Sequence, residues 1–181
     1  MYTYLGFKRD TQFFIGFAVG KWNEETCDEF YKMLSSRLRF PTQKRKVTIN
    51  TDGNEQNVGG IQKHFHVDAV NYSRRKKIRK NQKIVGVVSE IVFGNQDRQK
   101  IGITQIDGFC SKLRERISCF TRKARNFAKR KTGLEDRLEI FSVQHNFMEK
   151  KYGKTPAIKE ELASKIWDWS AVLHRRLSYS T

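Results

Sequence analysis

The sequence predicts an α/β fold, a mixed sheet flanked by helices, and three observations predict it. Two runs rich in aromatic and β-branched residues open the chain, a capped amphipathic helix follows, and a stripe of apolar residues at steps of three and four runs through the second half. The 181 residues suffice for one domain, 1–181, and show no internal repeat.

Residues 2–8 and 12–22, separated by the polar turn Arg9-Asp10-Thr11, read as a β-hairpin. Asn23 then caps a helix with Glu24 and Glu25 in its first turn and apolar residues at Cys27, Phe30, Met33, Leu34 and Leu38, and Pro41 closes it. Residues 46–51 form a short strand with Val47 and Ile49 on one face, which delivers Asp52 to a turn at Gly53. The stretch 54–104 reads as an insertion holding a strand at 65–70 and a hairpin inside KIVGVVSEIVFGN. Between these lies NYSRRKKIRKNQK, whose seven basic residues lack an apolar face and predict a loop or extended arm.

The C-terminal part, 106–181, is helical by pattern. Ile106, Phe109, Leu113, Ile117, Phe120, Ala124 and Phe127 make the core stripe of one long helix, which Gly133 ends. Residues 134–150 predict another helix, with Leu138, Phe141, Val143, His145 and Met148 as buried positions. The stretch YGKTPAIKEELASKIWDWSAVL ends in an amphipathic helix carrying Trp167 and Trp169, which are two apart and cannot share one face. Asn146 and the Thr155-Pro156 turn are expected to fix these helices against the core.

Charge narrows the function. The chain has 36 Lys and Arg against 19 Asp and Glu, a formal net charge of +17, which fits a polyanionic partner better than a solvated surface of both signs. Nucleic-acid contacts are expected from the arm, at Arg74, Arg75, Lys76, Lys77, Arg79 and Lys80. The outer faces of the long helix add Lys112, Arg114, Arg116, Arg122 and Lys123. Three dispersed cysteines suggest neither a disulfide framework nor a zinc ribbon. The longest apolar run, FFIGFAVG, is too short to span a membrane, and MYTYLGFKRD is no signal peptide, so an intracellular protein with no membrane partner is expected.

Two carboxylates are candidates for chemistry. A carboxylate at the end of a buried strand costs several kcal/mol unless a cation meets it, so Asp52 predicts a metal ligand, with a turn carboxylate as the plainer role. Asp107 is either a second ligand or a first-turn acid of its helix. Glu90 and Asp68 are substitutes without positional support. His64 and His66 alternate on the strand expected at 65–70, and without a third ligand they read as structural, as do Cys110 and Cys119.

The order strand, strand, helix, strand ending in Asp, insertion, helix opening with Asp107 suggests a ribonuclease-H-like nucleotidyltransferase core. Within IDGFCSKLRERISCFTRKARNFAKRK, the pairs Ile106-Asp107, Leu113-Arg114 and Arg122-Lys123 fall at the spacing of the C-terminal signature of DDE transposases of the insertion-sequence-one type. Thr51-Asp52-Gly53 and His66-Val67 match that family's other motifs, and HNFMEKKYGKTPA resembles its ending through His145, Asn146, Phe147, Gly153, Thr155, Pro156 and Ala157. The resemblance covers residues 2–172. It implies DNA transposition: strand cutting and joining on transposon ends and target DNA, with two Mg²⁺ or Mn²⁺ ions about 3.5–4 Å apart held by Asp52 and Asp107. It also implies a homo-oligomer or pairing with a full-length transposase, in the cytoplasm at the nucleoid.

The sequence departs from the family pattern in three places. The family's first metal-binding Asp, in an Asp-Glu pair on the first strand, falls by register immediately before Met1. Asp107 stands where the family has Glu, and two strand-length runs precede the first helix where the family fold has three, an incomplete N-terminal sheet. The alternative reading is therefore a non-catalytic basic DNA-binding remnant or an inhibitor of transposition.

Overall fold

Two small sheets and the helices packed on them make up the computed structural model, which describes residues 1–81, 83–98, 101–120 and 130–174. Strands β1 (Tyr2–Phe7) and β2 (Phe14–Gly20) form an antiparallel hairpin. In the second sheet β3 (Val47–Asp52) runs parallel to β4 (Val70–Lys80), which pairs antiparallel with β5 (Lys83–Phe93), so the fold is α/β with a mixed sheet. Among the described residues, the edge of β1 away from β2 and the edge of β3 away from β4 carry no strand partner.

Alternation along the hairpin builds two cores. Tyr4 and Ala18, opposite one another, face helix α1 (Glu24–Arg37), where they meet Cys27, Phe30, Tyr31 and Leu34. Leu5 and Phe17, the next pair, face the other way with Val19 and Phe14. There they meet Phe109 and Leu113 of α3 (Thr104–Arg116) and Leu138 and Phe141 of α4 (Lys131–Val143). The hairpin is thus the middle layer. Asn23 caps α1 as expected, its Oδ1 accepting from the Thr26 amide at 3.2 Å. Helix α2 (Gln56–His64) meets α1 at Gly60, where an added Cβ would stand 2.3 Å from the Tyr31 ring.

Several expectations are corrected. Residues 65–70 are not a strand: α2 ends at His64, residues Val67–Ala69 make a 3-10 turn, and β4 starts at Val70. The glycine pair in QNVGGIQKH hid the helix. KIVGVVSEIVF forms one strand, not a hairpin, because its partner is the basic run itself. That run is β4, with Tyr72, Ser73 and Arg74 buried and residues 77–80 exposed. Backbone pairing on both sides of its first half supplies the stability that an apolar side-chain face would otherwise give.

The long helix from Ile106 is shorter than its stripe. α3 ends at Arg116 and a 3-10 turn follows at Ser118–Phe120, while Ala124, Phe127, Arg122 and Lys123 lie outside the described residues. Gly133 sits inside the first turn of α4, and a π-helical turn at Gln144–Met148 continues it. The C-terminal stretch holds only α5 (Pro156–Lys159), capped by Thr155, and α6 (Trp169–Leu173), capped by Asp168. Glu161, at φ 59°, breaks the chain between them. Trp167 stacks on Phe147 at 4.2 Å, and Trp169 is exposed. No described helix is long and apolar enough to cross a membrane.

Candidate functional site

Asp52 closes β3 at the level of Arg75 on β4. Its Oδ1 accepts from the Asn54 amide at 3.2 Å and from Asn57 Nδ2 at 3.4 Å, an Asx turn that leads the chain into α2. The side chain is exposed, so the desolvation cost assigned to it from sequence does not arise: β3 is an edge strand and Asp52 its last residue. Asp107 lies in the first turn of α3, its amide donating to the Ile103 carbonyl at 2.9 Å and its side chain exposed.

These two carboxylates, 55 positions apart, line one cleft of about 270 Å³. One wall is the unpaired edge of β1 at Tyr2, Thr3, Tyr4 and Leu5, and the facing wall is β3 at Asn50, Thr51 and Asp52. Phe30 and Tyr31 of α1 contribute from one side, Ile103, Ile106 and Cys110 from the other. Two tyrosines brace the Asx turn from beneath. The Tyr4 hydroxyl donates to Gln56 Oε1 at 2.7 Å and accepts from Asn54 Nδ2 at 3.1 Å, and the Tyr31 hydroxyl donates to Asn57 Oδ1 at 3.1 Å. Burial pushes the Tyr4 pKa up to about 12, so both hydroxyls act as fixed donors. Burial also raises the Cys110 thiol, with Asp107 and Asp52 adding to it against Arg114, which keeps the sulfur protonated.

No ion pair to Asp52 or Asp107 and no group of three or more His, Cys, Asp or Glu able to hold a metal occurs among the described residues. Two exposed, unpaired carboxylates fit one hard divalent cation that keeps several waters. A second ion needs a further carboxylate, and the substitutes do not supply it: Glu90 pairs with Arg74, and Asp68 meets Gln43 at 3.5 Å. The expected histidine alternation does not hold either. His64 ends α2 and bonds Asp28 at 2.8 Å, while His66 lies in the link before the 3-10 turn.

The basic residues divide into two sets. Arg74 is buried between Glu55 and Glu90, and Lys76 reaches the same carboxylates at 2.8 and 3.5 Å. Lys112 binds Glu149 and donates to His145 Nδ1 at 3.0 Å, and Arg116 binds Glu149 at 3.0 Å. Each of these four already meets a carboxylate inside the fold, with Glu149 shared by two of them, which weakens the phosphate contacts expected of them. Arg75, Lys77, Arg79 and Lys80 have no carboxylate partner among the described residues. Arg114 is half-buried on α3.

No family model matches the chain, and no curated protein or solved structure matches it. The site therefore stands on its own geometry.

Sequence reading missed the bracing residues Tyr4, Tyr31, Asn54 and Asn57. The spacing Asp52, Asn54, Asn57 at the end of a strand was a usable signal, since Asx side chains fix turns that enter helices. Glu55 carried none. Its partner Arg74 lies 19 residues on, in the basic run that reads as a loop from sequence and is the strand β4.

Proposed function

We propose that the chain is a DNA-processing unit of the DDE/D transposase type, built on a ribonuclease-H-like core and acting on phosphodiester bonds. The observation that carries this reading is the convergence of Asp52, at the carboxyl end of a parallel strand, and Asp107, at the start of a helix, on one cleft. Carboxyl ends of strands are where α/β sheets open a ligand crevice. The excess of positive charge supports a polyanionic substrate.

Asp52 and Asp107 would hold a Mg²⁺ or Mn²⁺ ion, whose chemistry is to polarise a phosphoryl oxygen and acidify a bound water. The chain's own contribution is positional. Asn54 and Asn57 fix the Asp52 carboxylate, the two tyrosines fix the asparagines, and Arg75, on the strand beside Asp52, is placed to take a backbone phosphate. The apolar side of the cleft, Ile103 and Ile106, limits water on the other flank.

A second reading, a DNA-binding protein without catalysis, is favoured by one observation: the cleft offers two acids where two-ion chemistry draws on more. Nicking of supercoiled DNA by the full chain with Mg²⁺ or Mn²⁺ separates them. The catalytic reading expects nicking that Asp52→Ala abolishes while DNA affinity is kept. No nicking with either ion removes that reading and leaves the binding one.

A further inference from the structure

β4 and β5 outrun their sheet. β3 accompanies β4 only as far as Asp52 opposite Arg75, while β4 continues to Lys80 and β5 returns from Lys83. Residues 77–80 are exposed, as are Ile84, Val85, Val87 and Val88 on the returning strand. The five residues 76–80 extend about 17 Å at about 3.4 Å each, as a two-stranded ribbon turned by Asn81 at φ 49°.

The two faces of this ribbon differ. Register places Arg75 opposite Ser89, Lys77 opposite Val87 and Arg79 opposite Ile84, with a bulge on β5 that leaves Val85 unpaired between the last two pairs, so the three cations recur at every second residue of β4, about 7 Å apart. Val87 and Ile84, 43% and 53% exposed, lie beside them. On the opposite face Lys76 is held by Glu55 and Glu90. At the tip Lys80 stands directly across from Lys83, a like-charge pair that destabilises a hairpin. None of Arg75, Lys77, Arg79, Lys80 and Lys83 meets a carboxylate among the described residues. Such unshielded charge is stabilised when a polyanion takes the place of counterions.

We propose that the β4–β5 ribbon is a DNA-binding arm that lays its Arg75, Lys77 and Arg79 face in the major groove of duplex DNA. The proposal rests on the DNA reading above and names the surface and the form of nucleic acid. The B-form major groove, about 12 Å wide, admits a two-stranded ribbon, whereas the deep, narrow major groove of A-form RNA does not. Alternating cations address the phosphates at the groove's rim, and Val87 and Ile84 between them suit the thymine methyl groups within it. A flat anionic membrane would engage the tip lysines and give no use to a one-sided row. Because the ribbon springs from the level of Asp52, DNA held in this way passes the mouth of the carboxylate cleft.

The test measures binding of the full chain to a labelled duplex two helical turns long, by fluorescence anisotropy between about 50 and 200 mM salt. Replacing Arg75, Lys77 and Arg79 together by Ala should lower the slope of log K against log salt by about 2.7, three phosphates at about 0.9 each. The control, Lys32, Lys44 and Lys154 to Ala, removes the same charge from exposed sites elsewhere and should change the slope by less than about 1. Both variants should keep the parent melting temperature, and Arg75→Lys with Arg79→Lys should keep the parent slope. Guanine N7, which faces the major groove, should be protected from dimethyl sulfate by the native chain and not by the Ala variant. Equal slopes for the triple variant and the control overturn the proposal. So does ribbon-dependent binding to double-stranded RNA or to phosphatidylserine vesicles as tight as to DNA. If the native chain binds duplex DNA and the ribbon variant is indifferent, the proposal alone fails; if the native chain binds no duplex, the DNA reading fails with it.

Discussion

Asn146→Ala should cost about 2–6 kcal/mol of stability. The Asn146 side chain is 2% exposed and acts as a short strand: its Oδ1 accepts from the Phe14 amide and its Nδ2 donates to the Phe14 carbonyl, both at 2.9 Å. Phe14 opens β2 and is itself buried in the second core. Alanine leaves a buried N–H and a buried C=O without partners, at about 1–3 kcal/mol each. In a chain of this size 1 kcal/mol moves the melting temperature by about 2–4 °C, so a fall between about 4 and 24 °C is expected. Urea unfolding followed by circular dichroism would measure it, with the m-value unchanged if the native surface is preserved. Asn146→Asp supplies the sharper contrast. At neutral pH it keeps the acceptor and loses the donor, and its deficit should shrink in acid, where a protonated carboxyl can donate to the Phe14 carbonyl. A melting temperature for Asn146→Ala within about 2 °C of the parent would refute the argument that this amide clamps the C-terminal segment to the hairpin.

Two further predictions concern pH and packing. Burial, assisted by Lys112, holds the His145 pKa below its ordinary value, with Nδ1 accepting from Lys112 and Nε2–H donating to the Gln12 carbonyl. The unfolded chain therefore binds the proton more readily, so the contribution of neutral His145 is complete above about pH 6.5 and is lost as pH falls below it. Urea titrations from pH 8 to 5 should show that decline, and His145→Gln should flatten it. Gly59 and Gly60 should respond with opposite signs to Ala. At Gly59 the added methyl meets open space and the helix gains up to about 1 kcal/mol, whereas at Gly60 it meets the buried Tyr31 ring and costs about 1–3 kcal/mol. Equal effects at the two positions would contradict the close approach of α1 and α2.

Legibility in the sequence followed locality. The hairpin, the capped α1 and the delivery of Asp52 by β3 were readable because each rests on alternation, a cap or a turn within a few residues. Asp107 was readable as the start of a helix, though α3 begins three residues before it. What failed depends on partners far away in the chain. β4 looks like a loop because its side chains are charged, and it is a strand because β3 and β5 bond its backbone. Likewise the phosphate contacts expected of Arg74, Lys76, Lys112 and Arg116 came from counting cations, and Glu55, Glu90 and Glu149 reach them only in the folded chain.

The cleft between the two sheets also bears on how the molecule behaves at high concentration. Each of its strand walls is a β edge without a strand partner among the described residues, and neither Tyr2–Phe7 nor Val47–Asp52 contains the lysine or proline that commonly blunts such edges. Bare edges recruit other backbones through neutral hydrogen bonds, which salt does not screen, whereas nucleic-acid affinity collapses as salt rises. A high-salt buffer would therefore leave any edge-to-edge pairing between copies of this chain in place, and dilution would be what opposes it.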